Sequence, residues 1–92
     1  MDGRKKVIVL DAERMTDRES LHPYLREQMC FPDHYGNNFD ALYDVLTEIS
    51  CPTQIVLKGG EKLEGFGWFG RQVLRVFREA AEDNCCLSVE LT

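Results

Sequence analysis

Three short apolar runs, separated by long stretches of helical periodicity, constrain most of what this chain can fold into. Lys6-Val7-Ile8-Val9-Leu10 and Gln54-Ile55-Val56-Leu57-Lys58 are continuous and rich in β-branched side chains. Asp11 ends the first and Gly59-Gly60 breaks the second. Uninterrupted runs of this length suit buried, parallel strands. The third, Leu87-Ser88-Val89-Glu90-Leu91, alternates, so one of its faces is expected to meet solvent. The order β-αα-β-(α)α-β implies parallel strands joined by helical crossovers, right-handed by default. The expected class is α/β, in two layers, with a three-stranded parallel sheet.

The chain is 92 residues long, enough for a single domain spanning 1–92 with one modest core. No apolar run approaches the 18 or so residues of a membrane span. Residues 1–6 are polar and lack the apolar stretch of a signal peptide, which gives a cytoplasmic expectation.

Charge narrows the function classes. Eleven basic against sixteen acidic side chains give a net charge of −5. Phosphate neutralisation supplies most of the affinity of nucleic-acid binders, so an acidic domain this small is a poor candidate for holding DNA or RNA. The cations are also unevenly placed. Residues 27 to 55 contain no lysine or arginine, but hold Glu27, Asp33, Asp40, Asp44 and Glu48.

The gaps between strands read as helices. Thr16-Asp17-Arg18-Glu19 resembles a capping box ahead of a stripe of Leu21, Tyr24, Leu25 and Met29. Pro23 is awkward inside such a helix, and a start at Ser20 would put it in the tolerated first turn. Phe31-Pro32-Asp33-His34-Tyr35-Gly36-Asn37-Asn38 reads as a loop and a helix start. A second helix is expected over about 38–48, a helical turn near 61–63, and a strongly amphipathic helix over 73–81. The apolar stripe of the last is Phe69, Val73, Val76, Phe77 and Ala80.

The second helix has two unlike faces. At 100° per residue, Phe39, Leu42, Leu46 and Ile49 fall in one arc, which is the core side. Asp40, Tyr43, Asp44 and Thr47 fall opposite. Asp40 and Asp44 are like charges at i,i+4, a pair that costs an isolated helix about 0.2–0.5 kcal/mol. A solvated face is one reading, although such faces normally mix signs. A preformed anionic patch for a cation-rich partner is another. A catalytic carboxylate pair is the third, and no histidine, cysteine or lysine on the helix completes its chemistry.

Other motifs carry less. Gly65-Phe66-Gly67-Trp68-Phe69-Gly70 matches G-x-G-x-x-G, but does not directly follow a strand and lacks a suitably placed acid. It is read as a flexible lead into the third helix, with Phe66 and Trp68 packing on the core or on a partner. Cys30, Cys51, Cys85 and Cys86 contain no C-x-x-C pair, and neither His22 nor His34 has metal-type spacing to them. They are expected to be reduced and largely buried thiols. No cofactor, metal or catalytic residue is assigned.

The stretch Pro32-Asp33-His34-Tyr35-Gly36-Asn37-Asn38-Phe39-Asp40-Ala41-Leu42-Tyr43-Asp44-Val45-Leu46-Thr47 resembles the barstar family of intracellular ribonuclease inhibitors. Ser20-Leu21-His22 and Val73-Leu74-Arg75-Val76-Phe77-Arg78-Glu79-Ala80 extend the resemblance over nearly the whole chain. It implies that the loop and second helix plug the basic active site of a small secreted bacterial ribonuclease. Asp40 and Asp44 would be the acidic contacts, with Asp44 central, where a substrate phosphate should lie. Tyr43, Thr47, His34, Tyr35, Gly36 and Asn38 would line the interface, and Glu79 would add a peripheral acid. The chain departs from the family pattern at His34, Tyr43, Glu48-Ile49 and Asp83. An immunity protein or adaptor for a basic non-nuclease toxin is the alternative partner class, and a nucleotide-binding domain using the glycine motif is a rival.

Overall fold

Strands Lys6–Asp11 (β1), Thr53–Lys58 (β2) and Leu87–Leu91 (β3) form one parallel sheet in the order β1-β2-β3. This is a computed structural model, and it describes residues 6–32 and 35–92. Helices Arg18–Met29 (α1) and Phe39–Thr47 (α2) link β1 to β2, and helix Gly67–Asp83 (α3) links β2 to β3. Short 3-10 segments, Ala12–Arg14 and Gly60–Phe66, follow β1 and β2. The fold is α/β with a three-stranded parallel sheet and three helices, as the sequence pattern predicts. Among the described residues no helix is long and apolar enough to cross a membrane.

The register lines up Ile8, Ile55 and Val89, and then Leu10, Leu57 and Leu91, across the three strands. Leu10, Ile55 and Leu57 are completely buried against Leu21, Leu25, Leu42, Leu46, Val73 and Phe77 from the helices. The other face differs from the sequence expectation. Continuous apolar runs suggested strands buried on both sides, yet Val7 is 56% exposed and Val9 is 54% exposed. The reason is topological. Both crossovers step the same way across the sheet, and crossovers of one hand then place every helix on the same face.

The ambiguity at the start of α1 is resolved by its cap. Asp17, not Thr16, is the N-cap residue, and its Oδ1 accepts from the Ser20 amide at 2.8 Å. Pro23 therefore lies inside the helix, on its exposed side, where the missing N–H costs one helical bond at a solvated surface. Tyr24 Oη accepts from the Asp11 amide at 2.9 Å and fastens α1 to the end of β1.

Helix α3 begins six residues earlier than its periodicity indicated, inside the glycine motif. The segment is no flexible lead. A Cβ at Gly70 would lie 1.9 Å from the Leu63 carbonyl oxygen, so the first turn of α3 is packed on the preceding 3-10 segment. The hydrophobic arc that identifies a helix is absent where glycine provides the contact, so periodicity missed this turn.

The cysteine expectation is half right. All four thiols are free, but Cys30, Cys51 and Cys85 are exposed and Cys86 is half-buried. They stand at element ends rather than on core faces. Cys30 caps α1 in the left-handed region, at φ 56°. Cys85 and Cys86 form the turn before β3. Burial and the neighbouring thiols push the Cys86 thiol up, and it donates to the Ser50 carbonyl at 3.4 Å.

One buried polar pair crosses the core. His22 is 2% exposed and its Nδ1 lies 2.7 Å from Tyr35 Oη, with Tyr35 6% exposed. Burial, then the nearby Arg18, lowers the His22 pKa, and burial raises that of Tyr35. Neutral imidazole is thus the folded form, bonded to a neutral phenol.

Two outcomes are expected. Gly70→Ala gains about 1 kcal/mol of helix propensity, but the clash is with backbone and should outweigh it, for a net loss of about 1–3 kcal/mol in urea unfolding. His22 stabilises the fold fully above its unfolded pKa of about 6.5, and this contribution is lost as pH falls through the lowered folded value. Urea unfolding at pH 7.5 and 5.5 should therefore show a steeper decline for the natural chain than for His22→Gln. Equal declines would show that the imidazole does not control acid stability.

Candidate functional site

The candidate surface is built on α2. Asn38 is its N-cap, with Oδ1 accepting from the Ala41 amide at 2.7 Å and Nδ2 donating to the Gly36 carbonyl at 3.2 Å. This closes the turn at Gly36 and Asn37, where Asn37 takes φ 54°, a conformation asparagine tolerates. The helix then runs with Leu42 and Leu46 fully buried and with Phe39 and Ile49 packed at the margin of the core. That is the arc read from the sequence.

The far end of α2 is tied down by a residue that sequence reasoning missed. Asn84 follows α3, is buried, and its Nδ2 donates to the Leu46 carbonyl at 3.0 Å and the Ile49 carbonyl at 2.9 Å. Its Oδ1 accepts from the Cys86 amide at 2.9 Å. One side chain thus satisfies two carbonyls at the end of α2 and an amide leading into β3. No local pattern marks it, because its partners are far away in sequence.

With this frame fixed, the outer face of α2 is set. Asp40 and Asp44 are exposed, and among the described residues neither carboxylate has a hydrogen-bond or ion-pair partner. Tyr43, between them, is half-buried and donates from its hydroxyl to Asp83 Oδ2 at the end of α3. That bond, together with the Asp83, Glu79 and Asp44 charges, raises the Tyr43 pKa. Thr47 Oγ1 is turned back on its own helix, 2.9 Å from the Tyr43 carbonyl and 3.0 Å from that of Asp44. The hydroxyl proton is occupied there, and the oxygen remains an acceptor.

Helices α2 and α3 lie side by side, with a groove of about 310 Å³ between them. Phe39, Asp40 and Tyr43 line one wall, and Gln72, Arg75 and Glu79 line the other. Glu79 is therefore brought to the same groove as Asp40, although the chain separates them widely. Glu79 does not stand alone. Its Oε2 accepts from Arg75 Nε at 2.9 Å, and this raises the Arg75 pKa. The stretch free of cations in sequence thus has a cation beside it in space, already committed to Glu79.

The remaining expected residues divide three ways. Gly36 and Asn38 are exposed at the head of α2 and shape its first turn. Tyr35 is inside rather than on the surface; its ring packs against Phe31 at 4.8 Å, and its hydroxyl meets His22. It holds the loop that a partner would meet and does not itself face solvent. His34 lies outside the described residues. A second cavity, of about 300 Å³, is lined mainly by apolar side chains, including Met29, Phe31, Val45 and Ile49, away from the acidic face. Among the described residues no three His, Cys, Asp or Glu side chains group as a metal site requires. Trp68, left between core and partner by the sequence, is 63% exposed.

Comparison with known proteins identifies the family. A family model described as "Barstar (barnase inhibitor)" matches residues 5–90. A Bacillus subtilis (strain 168) protein named "Putative ribonuclease inhibitor YrdF" is 40% identical over 78 residues, covering 83% of this chain and 86% of that protein. An α/β sandwich of this topology, matched by the family model over nearly its full length, belongs to the Barstar family.

Proposed function

We propose that the chain is a stoichiometric inhibitor of a small basic bacterial ribonuclease of the barnase type, binding through the outer face of α2 and the loop before it. The family it belongs to is one of inhibitors rather than enzymes. The observation that carries the reading is the state of Asp40 and Asp44. Two exposed carboxylates, one helical turn apart, have no internal cation partner among the described residues.

The physical logic is mimicry. An enzyme that cleaves RNA must present arginine and lysine where phosphates bind. A carboxylate accepts charge-assisted, often bidentate, bonds from arginine in the geometry a phosphate uses. The array here is prepaid: caps at Asn38 and Asn84 fix the helix, so little ordering is left for the encounter. Asp44 is the central anchor, Asp40 and Glu79 flank it, and Tyr43 and Thr47 fill the space around it. Gly36 and Asn38 belong to the loop edge of the same interface, and Tyr35 holds that loop from beneath. Inhibition is competitive, because the cleft that would hold RNA is filled. The repulsion between Asp40 and Asp44 is relieved when cations arrive, which favours the bound state.

The direct test is titration into barnase with RNA cleavage as the readout. Activity should fall linearly to a stoichiometric end point. Activity untouched across a panel of small guanyl-type ribonucleases would defeat the reading. Asp44→Ala separates interface from scaffold. It should weaken binding about 30-fold or more, the usual result of stranding the partner's buried charge. Unfolding free energy should stay within about 0.5 kcal/mol, since an exposed like-charge pair is being removed. The association rate should also fall as salt rises from 50 to 300 mM, because exposed fields are screened beyond about 10 Å.

A further inference from the structure

The chain's single tryptophan is left in solvent. Phe77 is fully buried, and Phe39, Phe66 and Phe69 are packed against the core, but Trp68 in the first turn of α3 is 63% exposed. The indole is nevertheless held in place. It meets Phe39 in an edge-on contact, with ring centroids 6.4 Å apart and planes at 67°. Phe39 in turn packs on Phe69 in a tilted contact, with ring centroids 5.3 Å apart. The backbone beneath is rigid too, because Gly70 is pressed on Leu63. An aromatic ring anchored on one edge, with few rotatable bonds, loses little entropy on binding.

Its position gives the contact a chemistry. Trp68, Gln72, Arg75 and Glu79 follow one another at helical spacing along one side of α3, and the last three line the groove against α2. Trp68 therefore heads that wall. Phe39, its ring partner, is the neighbour of Asp40. Arg75 is the cation lining the groove, and it is spent on Glu79, which leaves Asp40 without one among the described residues. A purely apolar partner over Trp68 would dry Asp40 without a counter-charge, at a cost. A guanidinium group suits both neighbours, since it stacks on an indole face and bonds a carboxylate through its edge.

We propose that the partner-binding surface continues from α2 onto the N-terminal end of α3, where Trp68 is the platform for an arginine of the partner whose guanidinium is directed to the Asp40 side of the groove. The inference rests on the ribonuclease-inhibitor reading above.

Barnase is the probe. The natural chain, Trp68→Phe, Trp68→Leu, Trp68→Ala and Asp44→Ala are titrated against it by calorimetry, with thermal unfolding as the control for folding. Because the chain has one tryptophan, 5-fluorotryptophan labelling gives a single ¹⁹F resonance that reports on Trp68 alone. The resonance should move on complex formation. Trp68→Leu and Trp68→Ala should each weaken binding about tenfold, and Trp68→Phe, which keeps a π face, by less. A complex that Asp44→Ala disrupts, but in which the resonance stays still and Trp68→Ala binds like the natural chain, overturns this inference alone. Trp68→Leu binding as tightly as the natural chain overturns the guanidinium assignment. No complex of any form, the natural chain included, with barnase or with any member of the panel of small guanyl-type ribonucleases overturns the ribonuclease reading and this inference with it.

Discussion

Two crossovers that step in the same direction across a three-stranded parallel sheet impose the rest of this structure. Given the fixed hand of such connections, α1, α2 and α3 must share one face. The other face is left with Val7 and Val9 in solvent. Crowding three helices onto one small face makes α2 and α3 parallel neighbours. It lets Asn84, after the end of α3, reach the last carbonyls of α2. It also forces one side of α2 inward and one side out. The orientation of the acidic face thus follows from topology before any charge is considered.

Electrostatics then act on a surface already in place. Along the chain, α2 sits in a stretch with no positive side chain. In three dimensions Arg75 approaches from α3, and the outcome depends on whom it chooses. It bonds Glu79, four residues on, in a helical ion pair. Such an exposed pair adds little stability. Its consequence is positional, because it withdraws the cation from Asp40 and Asp44. Tyr43 does the corresponding thing for the acids, since its hydroxyl engages Asp83 and bridges the two helices. Among the described residues two carboxylates, Asp40 and Asp44, are left uncommitted in a field biased negative around them.

The loop that leads into α2 is held from below by the His22–Tyr35 pair. A hydroxyl and an imidazole buried together satisfy one another, where either alone would cost about 1–3 kcal/mol. The pair ties the second turn of α1 to the segment ahead of Asn38. The geometry of this loop and the polarity of the core are therefore coupled through one hydrogen bond.

The sequence alone determined the element types, the parallel sheet and the two faces of α2. Each depends on local periodicity: Leu42 and Leu46 at i,i+4 against Asp40 and Asp44 at i,i+4 leave one arrangement that buries apolar surface. The motif around α2 was also legible, and it pointed to the family. Five things waited for the tertiary structure: the open face of the sheet, the first turn of α3, the clamp at Asn84, the inward turn of Tyr35 and the partners of the acids on α2. Gly70 is silent in any hydrophobic pattern because what it contributes is the absence of a side chain. Asn84 and Tyr35 look like loop residues until their distant partners arrive. Whether Asp40 and Asp44 would be neutralised from within was likewise undecidable along the chain, since the answer lay with an arginine on another helix. Periodicity reports which way a residue faces; only packing reports what it meets there.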